Sequence, residues 1–207
     1  MVKKTVARRP RGRPRAYDPK QALAQVTEAF WDAGYSGASL EDLTDAAGMN
    51  KPSLYGAFGN KYALYMATLE GYREMGRTAM RAVLAREQTL ADALRSVYSG
   101  ALDIYMSGEH GARGCFLIGT AATESVLDRK VRRMFADGLH ELDDQLEARF
   151  QAALDSGELQ SSISAGDLAR LASGIMNSLA LRARAGDPRA VLERTAEAGV
   201  RLLCGLA

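Results

Sequence analysis

Residues 39–64 read SLEDLTDAAGMNKPSLYGAFGNKYAL, and the order of caps, apolar spacings and stops in that stretch decides the fold. Ser39, with Asp42 three residues on, matches the start signal of a helix in which each side chain satisfies the other's backbone N–H. Leu40, Leu43, Ala46 and Ala47 then recur at helical spacing and give one apolar face. Gly48 is the stop, the residue type that accepts a left-handed turn at a helix end. Met49 can plug that turn from inside. Asn50 suits the N-cap of a second helix, and Pro52 falls in its first turn, where a missing N–H costs little. Leu54 and Phe58 face inward at i, i+4, which leaves Lys51, Ser53, Tyr55, Gly56 and Ala57 outward or sideways. Gly59 ends this short helix and Asn60 caps a third. Helix, tight turn and helix in this order place the second helix in the major groove of duplex DNA.

Lys61 lies in the first turn of the third helix, where the helix dipole prefers an anion. One reading is a solvated lysine that costs roughly a few tenths of a kcal/mol. The other is that Lys61 and the free N–H groups of the helix start hold a DNA phosphate together, and its neighbours favour that one.

The stretch resembles the DNA-binding unit of the TetR family of bacterial repressors. The resemblance is carried by Ser39, Leu43, Ala47-Gly48, Pro52-Ser53-Leu54-Tyr55, Phe58, Lys61 and Leu64, and it covers residues 18–66. Beyond them the chain resembles the family in length and helical layout. Thr44 stands where the family usually has alanine. Gly56 and Ala57 stand where many members carry large DNA-contacting side chains, so base readout leans on fewer residues. The candidate DNA contacts are Ser39, Lys51, Pro52, Ser53, Tyr55 and Lys61. The resemblance implies a double-stranded operator as partner, a homodimer formed through the last two helices (164–185 and 188–204), and a body that holds an unknown small-molecule effector.

Residues 1–16 carry seven Lys/Arg and no acid, too charged to fold alone. Within this arm Pro10-Arg11-Gly12-Arg13-Pro14 resembles the core of an AT-hook. Arg11 and Arg13 can lie in a narrow A·T minor groove, whose negative potential attracts arginine. The alternative is a generic basic tail that adds salt-sensitive, sequence-blind affinity. Residues 1–61 hold ten Lys/Arg against six Asp/Glu, a net of +4, while residues 62–207 hold 17 against 19, a net of −2. Positive charge therefore sits with the DNA-reading unit, as phosphate binding requires.

The chain of 207 residues is expected to be all-α. The arm over 1–16 precedes a helix-turn-helix domain over 17–61 and a larger helical effector-binding and dimerisation domain over 62–207. In the first domain Asp18-Pro19 starts a helix with Ala22, Leu23, Val26, Ala29, Phe30 and Ala33 on one face, closed by Gly34, with Trp31 partly buried. In the body a long helix runs from Tyr62 to about Arg86. A second starts near Thr89 and is broken at Ser107-Gly108-Glu109-His110-Gly111. A short apolar piece runs from Cys115 to about Ser125, followed by a long amphipathic helix from Val131 that stops at Gly157. Ser164 to Asp167 reads as another capping box. Gly186-Asp187-Pro188 separates the last two helices. These are rich in small residues such as Ala172, Gly174, Ser178, Ala198 and Gly199, which let helices approach closely. Reading a palindrome also needs a two-fold symmetric protein.

Tyr72, Met75, Tyr98, Tyr105, Phe116, Met134, Met176 and Asn177 are the candidate lining of an effector pocket, since aromatics and methionines suit a plastic apolar site. The bland alternative for each is plain core. Cys115 joins them. A helix start and the nearby Arg113 would both lower its thiol pKa, which opens an alternative function as a redox- or electrophile-sensing regulator. Glu124 either orients a polar ligand or reaches solvent. Two Cys and two His make no metal-ligand spacing, and no metal or cofactor is expected. No nucleophile elbow, phosphate loop or carboxylate pair points to an enzyme. No apolar run reaches the roughly 20 residues of a membrane span, and the basic N-terminus lacks the apolar segment of a secretion signal, so a cytoplasmic protein is expected. A sequence-blind architectural DNA binder is the remaining alternative. Gly56 and Ala57 favour it, and the size of the body argues against it.

Overall fold

The computed structural model describes residues 18–108 and 111–206. The basic arm with Arg11 and Arg13, and the Glu109-His110 pair in the expected break, lie outside the described residues. All regular structure among the described residues is helical.

Helix α1 (Pro19–Gly37) starts on Asp18, whose carboxylate accepts the Lys20 N–H at 2.9 Å. Gly34 interrupts it at φ 74°, and one further helical turn follows to Gly37. Helix α2 (Leu40–Ala47) carries the complete capping box. The Asp42 N–H reaches Ser39 Oγ at 3.1 Å and the Ser39 N–H reaches Asp42 Oδ2 at 2.8 Å. Gly48 stands at φ 59°, where a Cβ would press on the carbonyl and glycine does not. Helix α3 (Lys51–Phe58) is capped by Asn50 Oδ1, which accepts the Ser53 N–H at 2.9 Å. Helix α4 (Lys61–Leu84) is capped in the same way by Asn60.

The body contains α5 (Leu90–Tyr105), α7 (Arg129–Asp155), α8 (Ala165–Arg184) and α9 (Arg189–Cys204). Between α5 and α7 lies α6, a π-helical turn over Leu117–Ala121 continued by one α-helical turn over Ala122–Glu124. The apolar pattern locates this segment, but the wide turn has no periodic signature in so short a piece. A close approach accompanies it. Gly114 stands at φ 67°, and a Cβ there would lie 2.5 Å from the Ala180 carbonyl oxygen, so any larger residue would push the segment off α8.

Two hydrophobic clusters organise these helices. The body core is built by α5, α7, α8 and α9 around Leu94, Tyr98, Leu102, Leu146, Phe150, Leu179, Leu192 and Val200. The other joins Val26, Phe30, Leu43, Leu54, Leu64, Tyr65 and Leu69 to Phe116, Leu117, Ala121 and Val131. The domain boundary expected at 61/62 falls at the first residue of α4, yet the packing of the helix-turn-helix continues past it to Leu69 and into α6 and α7. Trp31, expected to be partly buried, is 3 % exposed and belongs to that second cluster.

The capping box yields a stability test. Ser39→Ala should lower the unfolding free energy by about 1 kcal/mol, the usual cost of an N-cap, read from denaturant midpoints. The Ser39 hydrogen bonds hold the Asp42 carboxyl below its usual value. Its contribution is therefore complete above about pH 4 and fades as pH falls through the depressed native value. The gap between wild type and Ser39→Ala should narrow at low pH without closing, because the bond from the Asp42 N–H to Ser39 Oγ does not titrate. A constant gap down to pH 2 would contradict the box.

Candidate DNA interface and interior cavity

The face of α3 away from the core is open. Lys51, Pro52, Ser53 and Gly56 are exposed, Tyr55 and Ala57 are partly exposed, and Leu54 is fully buried. Lys51 Nζ lies 5.9 Å from the centre of the Tyr55 ring. Nothing lies within 4 Å of a Cβ built on Gly56, so this position leaves a gap in the outward row. Ser39 is exposed with its hydroxyl already accepting from Asp42, although it can still donate. Lys61 lies at the N-terminal end of α4, and its ammonium sits 4.9 Å from the centre of the Tyr35 ring. That contact holds Lys61 beside the unpaired N–H groups of the α4 start. Five of the candidate DNA contacts thus share the surface of α3 and the adjoining start of α4, and Ser39 stands at the start of α2.

Tyr35 belongs to an aromatic stack under this surface. Its ring is 4.7 Å from Tyr65 and 6.2 Å from Phe30. Four polar ties then fasten α1 and the start of α4 to the segment from Arg113 to Asp128. Ser36 Oγ donates to Glu124 Oε1 at 3.0 Å, Tyr62 Oη to Asp128 Oδ1 at 3.2 Å and Tyr65 Oη to Thr120 Oγ1 at 3.1 Å. Burial pushes the Tyr65 hydroxyl up to about 12, so it stays a donor. The fourth tie is Arg113, which pairs with Glu28 and lays its guanidinium 3.8 Å from the centre of the Trp31 ring. Glu124, given above as either a ligand group or a solvated one, accepts from Ser36 in an exposed hydrogen bond at this seam.

A cavity of about 210 Å³ opens among α4, α5, α6, α7 and α8. Tyr72, Met75, Tyr105, Cys115, Met176 and Asn177 line it, as expected, together with Met80, Val97, Ile118, Leu139, Leu142 and Gln145. Three expected lining residues lie elsewhere. Tyr98 is enclosed in the body core with its hydroxyl donating to the Ala172 carbonyl at 3.1 Å. Phe116 is fully buried against Trp31 and Tyr72, at 5.4 and 5.5 Å between ring centres. Met134 packs on the other cluster and its sulfur accepts from Arg73 at 3.1 Å. Residue type alone does not distinguish a cavity wall from a filled core one turn away.

Cys115 requires a correction. Arg113 is turned away to Glu28 and Trp31, so it does not attend the thiol. Burial pushes the Cys115 thiol above its ordinary value, and the hydrogen bonds from Tyr72 (3.5 Å) and the Ile118 and Leu117 N–H groups only partly oppose this. The protonated thiol is the poor nucleophile. Tyr72 meets Cys115 on one side and Trp31 on the other, at 5.1 Å between ring centres. The cavity wall therefore continues into the seam under the helix-turn-helix. No sequence signal marks this seam, because Arg113 and Glu28 are 85 residues apart.

Residues 23–68 match the family described as bacterial regulatory proteins, tetR family. Residues 91–198 match the tetracyclin repressor-like C-terminal domain. The HTH-type transcriptional repressor ComR of Escherichia coli (strain K12) is 33% identical over 115 residues, which is 56% of this chain and 55% of that protein. The HTH-type transcriptional regulator YezE of Bacillus subtilis (strain 168) is 28% identical over 148 residues, 72% of this chain and 76% of that protein. Among solved structures, the TetR family transcriptional regulator CifR, as a cysteine mutant complexed with 26-bp double-strand operator DNA, superposes with a TM-score of 0.77 at 28% identity. That match covers 91% of this chain and 98% of the other. The chain thus spans about half the length of ComR and almost all of CifR. No described helix is long and apolar enough to cross a membrane.

The raised Cys115 thiol gives a direct test. Alkylation by iodoacetamide at neutral pH, followed by mass spectrometry, should proceed well below the rate of a free thiol and accelerate only at a pH above the range in which ordinary thiols ionise. Fast, pH-independent modification at pH 6–8 would show a thiolate and restore the sensor reading.

Proposed function

The chain belongs to the tetR family of bacterial regulatory proteins, and on that premise we propose that it is a homodimeric repressor that binds a pseudo-palindromic operator and leaves it when a small molecule fills the interior cavity. The observation that carries the reading is the open outward face of α3 beside Lys61, on a unit whose base is fastened to the cavity wall through Trp31, Tyr72 and Cys115. Lys51, Ser53 and Tyr55 would contact DNA in the major groove and Lys61 a phosphate. The operator-bound CifR neighbour supports a DNA partner. By linkage the effector must bind the released arrangement more tightly than the operator-bound one.

The body, residues 62–207, would provide both the cavity and the dimer. Leu171 and Leu181 on α8 are 53 % and 57 % exposed, and Leu202 on α9 is 80 % exposed. Gly174 between them meets nothing within 4 Å, so a second copy can approach the backbone closely there. Two copies of α8 and α9 would bury this face as a four-helix interface, and the two-fold axis would set the two α3 helices at half-sites about 34 Å apart.

Selection from a random duplex pool at physiological salt should return a two-fold symmetric site. Recovery of A·T-rich DNA without symmetry would instead make the basic arm the main binder and sink the proposal. Lys61→Ala should weaken the selected site and random duplexes by the same factor and lower the salt slope by about one. A loss confined to the selected site would remove Lys61 from the phosphate role. Leu202→Arg should give a monomer in light scattering at micromolar concentration and abolish tight operator binding. An unchanged dimer would place the interface elsewhere.

A further inference from the structure

The cavity also discriminates by ligand charge, an inference that rests on the effector reading above and narrows it. An engineered apolar cavity of about 150 Å³ accepts benzene. The cavity here, about 210 Å³ and open to solvent past Met75, Gly76 and Ala79, has room for one substituted ring or a short chain. Met80, Val97, Ile118, Leu139 and Leu142 make most of its wall apolar.

Every guanidinium on the wall is already paired. Arg73 holds Glu70 at 3.3 Å, Asp137 at 3.7 Å and Glu141 at 3.3 Å, and Arg77 holds Glu74. A ligand carboxylate would compete with three protein carboxylates for Arg73. A ligand ammonium would have to share Glu141 with Arg73, whose other carboxylates, Glu70 and Asp137, would remain. An anion would enter an apolar site without a free counter-ion, and a cation would have to take Glu141 from an existing ion pair, so each ion meets a cost that a neutral molecule does not.

Glu141 Oε2 is buried without a hydrogen-bond partner and is held only by its ion pair with Arg73 at 3.3 Å. The other polar groups left over are neutral. The Tyr105 side chain is 4 % exposed, and its hydroxyl has no hydrogen-bond partner among the described residues. The Asn177 amide lines the cavity and is likewise unpartnered among the described residues. The Cys115 thiol is occupied by Tyr72 and is kept protonated by burial. Gln145 places its amide N–H on the Glu141 carbonyl at 3.1 Å, and its Oε1 is a buried acceptor without a partner among the described residues. A ligand that brings one neutral group able to donate and accept would satisfy Tyr105 and Asn177 at once.

We infer that the cavity selects an uncharged, mainly apolar molecule the size of a single substituted ring, whose one hydroxyl or amide group hydrogen-bonds Tyr105 and Asn177. Three probes of similar shape test this against the full-length protein by calorimetry at pH 7: 4-ethylphenol, 4-ethylbenzoate and 4-ethylbenzylamine, which are neutral, anionic and cationic there. The neutral probe should bind at least about tenfold more tightly than either ion, as expected for burying an unpaired charge. Tyr105→Phe, which keeps the packing, should weaken 4-ethylphenol about fivefold and leave ethylbenzene unchanged. Tightest binding by either ion, no binding by 4-ethylphenol, or no effect of Tyr105→Phe would overturn the inference. Release of labelled operator is measured in parallel. Tight binding of 4-ethylphenol without release would sink the effector reading and leave the charge selection standing. Release by the benzoate would do the reverse.

Discussion

The helix-turn-helix has no closed core of its own. A unit over 17–61 is at the size where a chain struggles to bury enough apolar surface to stay folded. Here Val26, Phe30, Leu43 and Leu54 find their remaining neighbours in Leu64, Tyr65 and Leu69 of α4 and in Phe116, Leu117, Ala121 and Val131 of α6 and α7. Helix α3 therefore cannot be positioned independently of the body. Its orientation is a consequence of how α6 is seated.

The same cluster adjoins the cavity wall. Phe116 is in the junction cluster while its neighbours Cys115 and Leu117 reach the cavity wall. Tyr72 does both, touching Trp31 with its ring and Cys115 with its hydroxyl. Packed interiors respond to an intruding group by shifting as units, because few voids exist to absorb it. A molecule pressing on Tyr72 and Cys115 thus has a short route to α1, through one aromatic contact and the Arg113 clamp over Trp31. The π-helical turn of α6 lies on this route, and such turns often occur at functional sites.

Charge is divided in the same economical way. The surplus of basic residues is in the first 61 positions, whereas Arg73 and Arg77 near the cavity are bound by carboxylates of α4 and α7. Arginine at the cavity is neutralised by these carboxylates. The exposed leucines of α8 and α9 form a separate apolar face away from the polar ends.

The local structure was legible from the chain because caps and stops act within four residues. Ser39 with Asp42, Gly48, Asn50 and Asn60 each do what their spacing implies. The helical order and the outward row Lys51, Ser53 and Tyr55 follow from the same short-range rules. What packing decided lies at longer range. Nothing near Arg113 in sequence says that it leaves Cys115 for Glu28 and Trp31, and so the thiol reading taken from its local context inverted. Nothing near Tyr98, Phe116 or Met134 separates a filled core from an open wall, whereas Tyr72, Tyr105 and Asn177 face the opening. Sequence determines which side chains can be buried. Which of them meet, and which are left with an unfilled space or an unpaired hydroxyl, depends on helices brought together from distant parts of the chain.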